Sequence, residues 1–287
     1  MKLDPHQTEF VSLLKGLSGR FRPHELFSDF CELSALSLHA HVETERFYAV
    51  NYERYTRLVT KYSDQEKAVF DKMFDCLVNS LEGSFKDSLG ELFMVLELGN
   101  HWKGQFFTPY ELCKLMAKVV MGDPQQRTNR HGFFQMYEPC SGAGAMVIAY
   151  ADALHESDFA YQDSMHVIAQ DLDATAVHMS YIQLSLYAIP AVVIHCNSLN
   201  PTQNYGYWKT FKHVHGDWDL RLSRASAVDT MLNFMREGKS SPDEQKTEII
   251  LPPLPVAIST PPAMNDLRQR RNDTVQKYRE SMQMGLF

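Results

Sequence analysis

Through the first hundred positions the apolar residues recur at helical spacing. The segment PHELFSDFCELSALSLHAHV (23–42) follows this pattern, and SDQEKAVFDKMFDCLVNSLEGSF (63–85) repeats it with Ser63 or Asp64 as its N-cap. His39 and His41 are two apart, which sends them to different faces of a helix, so they are read as surface or core residues and not as ligands. From Gly132 to about Ser198 the period changes. GFFQMYEP and SMHVIAQDLD are short apolar runs ending in acids, and PAVVIHCNSL is β-branched. Between them lie two amphipathic helical segments, GAMVIAYADALHES and ATAVHMSYIQLSLYAI. Strand, helix, strand, helix, strand predicts a parallel α/β sheet.

After Asn200 the pattern weakens. NPTQNYGYWKTFKHVHGDWDLRL is aromatic and polar with little periodicity, whereas SRASAVDTMLNFMREG predicts a helix closed by Gly238. The predicted organisation is a helical N-terminal region (1–100), an α/β domain (101–235), a Pro-rich linker or loop (236–264), and a basic C-terminal helix and tail (265–287). No internal repeat is evident.

Composition narrows the class. A 287-residue chain with 44% hydrophobic residues can build a sizeable core. No stretch approaches the roughly 20 apolar residues of a membrane span, and MKLDPHQTEF has no apolar signal core. The five cysteines (Cys31, Cys76, Cys113, Cys140, Cys196) are scattered and form no CxxC pair, so neither a zinc ribbon nor a disulfide framework is expected, and a reducing cytoplasm is the default. The net charge of −7 argues against a free-standing nucleic-acid binder, although a local basic patch or a partner can supply the field.

Doubly wound sheets bind ligands beyond the carboxyl ends of their strands. The first strand is followed by EPCSGAG (Glu138–Gly144), the second by Asp171, the third by Asn197 and Ser198. A Gly-rich turn lets backbone approach a ligand, and a carboxylate after the second strand accepts two hydrogen bonds from a ribose diol. The spacing is not GxGxxG and no P-loop Lys follows, which disfavours NAD and ATP. The bland alternative is a Gly turn that serves only a tight strand-to-helix connection.

That turn has company upstream. GQFFTP (104–109) followed by a helix, then EPCSGAGAM, then AQDLD, resembles the methylation subunits of type I restriction–modification systems and related adenine-N6 DNA methyltransferases. The resemblance covers roughly Lys103 to Leu199. It implies a class I S-adenosylmethionine-dependent methyltransferase domain, Rossmann-like, behind the helical N-terminal region. By the same resemblance, Phe107, Thr108 and Pro109 would lie against the methionine end of S-adenosylmethionine. Glu138, Cys140, Gly142 and Gly144 would form the floor, Asp171 would hold the ribose, and Leu172 would lie on the adenine ring. Asn197, where the family usually has Asp, would face the adenine amine. Ser141 stands where the family commonly has Gly.

The resemblance also implies a [DN]-PP-[YF] loop after a fourth strand. Its polar side chain and a Pro carbonyl accept hydrogen bonds from the target amine, and its aromatic residue stacks on the flipped base. The expected place is after DWDL, but RLSRAS (221–226) follows. VAISTPPAM (256–264) has two prolines, yet Thr260 and Ala263 occupy the polar and aromatic positions, so it is read as Pro-rich linker. No separate target-recognition domain is expected in the remaining residues, so specificity for DNA would come through a partner. HVHGDWD alternates His213, His215, Asp217 and Asp219, but it is read as a surface lead-in to the fourth strand, with no metal.

The last five residues, QMGLF, resemble the Q-x-x-[LM]-F motif that docks bacterial proteins on the sliding DNA clamp. Gln283 would make the orienting hydrogen bonds, and Leu286 and Phe287 would enter an apolar pocket. The opposing reading is a tail folded back on its own domain, or one that merely frays. Two functions therefore stand side by side. One is an adenine-N6 DNA methyltransferase with an unorthodox or partner-supplied catalytic loop. The other is a cofactor-binding but catalytically inactive relative that acts by binding the clamp or restriction machinery.

Overall fold

The computed structural model describes residues 2–96, 98 and 107–237. The N-terminal region forms α1 (Pro5–Leu17), α2 (Pro23–Val42), α3 (Thr44–Val50), α4 (Tyr52–Val59), α5 (Asp64–Leu81) and α6 (Ser88–Val95). Ser63, not Asp64, caps α5. Its hydroxyl accepts from Glu66 N, and the Glu66 carboxylate accepts from Ser63 N, so two otherwise orphaned donors are satisfied reciprocally.

The α/β part runs through α7 (Tyr110–Met121), α8 (Pro124–Arg127), β1 (Phe134–Glu138), α9 (Ala145–Glu156), α10 (Tyr161–Ser164), β2 (Met165–Asp171), α11 (Ala174–Leu186) and β3 (Ala191–Asn197). It continues into β4 (Asn200–Lys209), α12 (Phe211–His215) and α13 (Trp218–Glu237). The described sheet has the order β1-β2-β3-β4. β1, β2 and β3 are parallel, with Phe134 opposite Met165 and Val167 opposite Ala191. Their carboxyl ends, at Glu138, Asp171 and Asn197, thus share one edge of the fold. The domain is α/β, as expected, with three parallel strands and one antiparallel strand in the described sheet.

Two segments differ from expectation. The weakly periodic stretch after Asn200 is a strand, β4, antiparallel to β3 and bulged between His195 and Asn197. Its β-forming residues include Thr202, Tyr205, Tyr207 and Trp208, but only Trp208 is buried among these, so the sequence carries no clean alternation. DWDL, read as the lead-in to a fourth strand, instead runs into helix α13. Trp218 is fully buried there, edge-on to Phe133 at 5.2 Å, and this tertiary contact fixes the helix start. RLSRAS therefore lies within a helix. The alternating HVHGDWD residues are likewise not on an extended segment. His213 and His215 belong to α12, Asp217 is left-handed (φ 52°), and Asp219 sits in the first turn of α13.

The helical region and the sheet share one buried cluster, in which Phe10, Phe27, Phe30 and Phe70 join Val147, Ile148, Val167 and Ile182. α2 packs on α11, α11 packs on β2 and β3, and α7 packs on α9. Four cysteines are buried and Cys140 is exposed; all are free thiols. No helix among the described residues is long and apolar enough to cross a membrane. The closing glycine expected at 238, the linker beyond it, the basic helix and QMGLF lie outside the described residues, as do Gly104, Gln105 and Phe106.

His39 is fully buried, while His41 on the same helix is exposed. The His39 ring packs edge-on against Trp208 at 5.1 Å, and neither ring nitrogen has a hydrogen-bond partner among the described residues. Burial, reinforced by the nearby Arg46 charge, pulls its pKa down to about 4. A histidine held neutral in this way contributes stability above its unfolded pKa of about 6.5 and loses it as pH falls towards 4. His39→Phe should therefore gain on the wild type by roughly 2 kcal/mol between pH 7 and pH 4.5. Urea unfolding at the two pH values measures this, and an unchanged difference would refute the neutral buried ring.

Candidate functional site

The site is built where the three parallel strands end. Glu138 closes β1, and its Oε1 accepts from Cys140 N at 3.2 Å, which starts the turn. Ser141 N donates to Gln170 O of β2 at 2.8 Å, and Gly144 N donates back to Ser141 O at 2.8 Å. The loop is thereby stapled to the neighbouring strand before it enters α9. Gly142 has φ +54° and Gly144 has φ +97°, conformations that disfavour any side chain. Space imposes the same choice at Gly142, because a Cβ there would lie 2.9 Å from the Phe107 ring.

Asp171, at the end of β2, reaches across to this loop. Its Oδ2 accepts from Gly142 N at 2.8 Å and its Oδ1 from Asp173 N at 2.9 Å. An ionised carboxylate offers about four acceptor sites, so each oxygen keeps capacity for a ligand hydroxyl. Asp173 caps α11 by accepting from Ala176 N. Leu172 is 57% exposed, an apolar side chain presented beside the acid, and its carbonyl is bonded to His195 Nε2. At the end of β3, the Ser198 hydroxyl donates to Pro139 O and closes the third side of the loop.

Phe107, Gly142, Asp171 and Ser198 thus converge, although they are spread over more than 90 residues of sequence. Phe107 is half-buried, 5.0 Å from the Phe93 ring of α6, while Thr108 and Pro109 are exposed at the start of α7. Asn197 is engaged locally: its Nδ2 donates to Gln203 Oε1 at 2.9 Å, and its Oδ1 accepts from Leu199 N at 3.0 Å. Cys140 is exposed. Ser141 Oγ is buried and finds no partner among the described residues, which leaves a polar atom available within the turn.

A family model described as N-6 DNA Methylase matches residues 94–215, which span GQFFTP, the Gly-rich loop and all four strands. The match supports kinship of this segment with adenine-N6 DNA methyltransferases. Among solved structures, the methyltransferase subunit of a type I restriction–modification system from Streptococcus thermophilus is similar at 14% identity, with a TM-score of 0.33. That likeness covers 64% of this chain and 55% of the subunit, and at such a score it carries no weight for the site. No curated protein matches the chain.

The matched segment has a support that motif reading missed. Gln183 of α11 is fully buried. Its Nε2 donates to Ala143 O in the Gly-rich loop and to Asp87 Oδ1, both at 2.8 Å, and its Oε1 accepts from Leu89 N at 3.0 Å. One amide therefore ties the loop to the start of α6. The sequence signal was present, since Gln183 is the one carboxamide in the run ATAVHMSYIQLSLYAI. Burial pushes the Asp87 carboxyl up to about 6, against the lowering effect of the Gln183 and Gly90 hydrogen bonds. Gln183→Leu should cost about 2–4 kcal/mol, because it strands buried donors and acceptors on three separate segments. Denaturant midpoints would check this, and a loss below about 0.5 kcal/mol would show the amide to be dispensable.

Proposed function

We propose that the chain binds S-adenosylmethionine at the loop formed by Glu138–Gly144 and Asp171, and that it acts on DNA in company with a partner protein. The observation that supports this most directly is the Asp171–Gly142 hydrogen bond beneath the Phe107 ring. It joins three motif segments that sequence order alone leaves apart. The residues suit such a ligand. Asp171 retains lone pairs for a ribose diol, Leu172 offers an apolar face beside it, and the Glu138 carboxylate lies at the loop's entrance with its Oε1 only partly engaged. Thr108 and Pro109, which follow Phe107 and are exposed, would lie at the methionine end. When bound, the cofactor would supply a methyl group activated by a sulfonium; the protein's own part is to orient it and shield it from water.

Methyl transfer to adenine N6 needs acceptors for the amine and a surface for the flipped base. RLSRAS is part of helix α13 and has neither an Asn-Pro-Pro turn nor an aromatic residue. We therefore infer that the isolated chain transfers methyl groups very slowly or not at all. Calorimetry should detect S-adenosylmethionine or its demethylated product, and Asp171→Ala should weaken binding by roughly 1.5–3 kcal/mol. Asp171→Asn, which keeps one acceptor, should lose less, and matching unfolding transitions would separate binding from folding. No heat from either ligand at high concentration would sink the cofactor reading. Robust label transfer to mixed-sequence DNA by the purified chain would overturn the second inference alone.

The partner reading rests on the QMGLF sequence, which lies outside the described residues. The amide of Gln283 and the side chains of Leu286 and Phe287 would engage a bacterial sliding clamp, which would deliver an acidic chain to DNA without a basic face of its own. Changing Leu286 and Phe287 together to Ala should abolish retention on the clamp and leave cofactor affinity intact. Equal retention of both proteins in a pull-down would remove the clamp from the account.

A further inference from the structure

Helices α7 and α9 both start at the site. α7 follows Pro109 and α9 follows Gly144, so each helix carries one of the segments proposed to meet the cofactor. Neither segment moves independently of its helix. Thr108 O accepts from Cys113 Sγ at 3.8 Å, and Pro109 O accepts from Leu112 N and Cys113 N at 3.0 and 3.1 Å. Gly144 O accepts from Ile148 N at 2.9 Å. The spacing between Phe107–Pro109 and the Gly-rich loop is therefore set by how α7 lies on α9. The tolerance is small, since a Cβ at Gly142 would stand 2.9 Å from the Phe107 ring.

A ladder of polar contacts joins the two helices. Tyr110, Lys114 and Lys118 recur at i, i+4 and i+8 on α7, and Asp152 and Glu156 at i and i+4 on α9. The Tyr110 hydroxyl donates to Asp152 Oδ2 at 3.1 Å. Lys114 Nζ bridges Asp152 Oδ2 at 2.8 Å and Glu156 Oε1 at 2.9 Å, and Lys118 Nζ meets Glu156 Oε2 at 2.6 Å. The partner numbers rise together, so the helices run side by side with their amino ends at the same edge. Hydrogen bonding to Asp152 and Glu156 raises the Lys114 pKa, and hydrogen bonding to Lys114 and Lys118 lowers that of Glu156, which keeps these groups ionised through the neutral range.

Asp152 is out of keeping with its own helix. α9 buries every residue from Val147 to Leu154, and Asp152 is the one charged residue among them, 6% exposed. Taking a carboxylate out of water costs free energy that one ion pair rarely offsets, and a well-packed apolar pair of similar volume generally holds a fold as well or better. Fold stability is thus a poor reason for the arrangement. Direction is what an apolar pair lacks. Leu against Phe would tolerate a slide of α7 by a fraction of a turn, whereas one carboxylate oxygen shared by a hydroxyl and an ammonium would not.

We propose that Asp152 is a positioning residue: through Tyr110 and Lys114 it sets the distance between Phe107–Pro109 and the Gly-rich loop, and thereby the affinity for the amino-acid end of the cofactor. This rests on the cofactor reading above and deepens it. The test uses two ligands that share the nucleoside, S-adenosylhomocysteine and 5′-methylthioadenosine, the second of which lacks the amino-acid end. In Tyr110→Phe/Asp152→Leu of the full chain the polar pair becomes an apolar one, and Lys114 keeps Glu156 as its partner, so the urea midpoint should stay close to that of the wild type. In NMR titrations its affinity for S-adenosylhomocysteine should fall about tenfold, while that for 5′-methylthioadenosine changes less than about twofold. Tyr110→Phe alone, which leaves Lys114 on Asp152, should show the same selectivity with a loss of about threefold. Equal losses for the two ligands, or a loss for neither, would overturn the proposal and leave Asp152 a purely structural residue. Binding of neither ligand by the wild type would overturn the cofactor reading, and this proposal with it.

Discussion

A single buried carboxamide couples the Gly-rich loop to the N-terminal helices. Gln183 spends both its donors and its acceptor on groups from other segments, Ala143, Asp87 and Leu89. None of these groups has access to water, so each would otherwise carry the cost of an unmade hydrogen bond. The consequence is mechanical. The N-terminal helices do not merely pack against the sheet, because α6 is bonded, through α11, to the backbone of the loop that forms the site. Phe93 of α6 repeats the coupling in apolar form by supporting Phe107, which in turn closes over Gly142. The helical region therefore helps to set the site's geometry.

Within that frame the loop is held from three sides. β2 holds it through Gln170 O, the end of β2 through Asp171, and the end of β3 through Ser198. Preorganisation of this sort would matter for a site that bound its ligand through backbone and a carboxylate, because a loose loop would have to be ordered at the expense of affinity. It also explains why two glycines are required so close together. One accommodates the Phe107 ring, and the other turns the chain into α9 against Ser180.

Much of this was legible in the sequence, and the failures have a common cause. The segment 23–42 matches α2 in full, and the strands β1, β2 and β3 fall within the apolar runs read as strands, because period and turn residues are local signals. The convergence at the strand ends followed from the parallel topology. What escaped were features set by distant contacts. β4 hides its one fully covered aromatic, Trp208, among exposed polar and aromatic neighbours. Trp218 begins a helix because Phe133 and the His166 ring receive it. His213 meets His166 at 2.9 Å across 47 positions, so the apparent His/Asp alternation in 213–219 resolves into a structural hydrogen-bonded chain from His166 through His213 to Asp219. Gln183 and Asp87 are 96 residues apart, and nothing in either neighbourhood announces the other.

Charge imposes the last constraint. The rim of the loop carries Glu138, Asp171 and Asp173, a set of carboxylates suited to a cationic or hydroxyl-bearing ligand and unsuited to a phosphate backbone. The cations of the adjoining helix offer little relief, since Lys114 sits 2.8 Å from Asp152 and Lys118 sits 2.6 Å from Glu156. At physiological salt, fields from more distant charges fade over about 8 Å. The groups that would favour the proposed cofactor therefore oppose unaided approach of DNA to the same edge. For a chain of net charge −7, the attraction has to be carried by a separate element. The sequence concentrates positive charge at Arg268, Arg270, Arg271, Lys277 and Arg279, well away in the chain from the loop. An acidic site would suit the small ligand proposed above, and a separate basic segment or a partner would suit DNA, a division that fits both the site's chemistry and the similarity of residues 94–215 to N-6 DNA methylases.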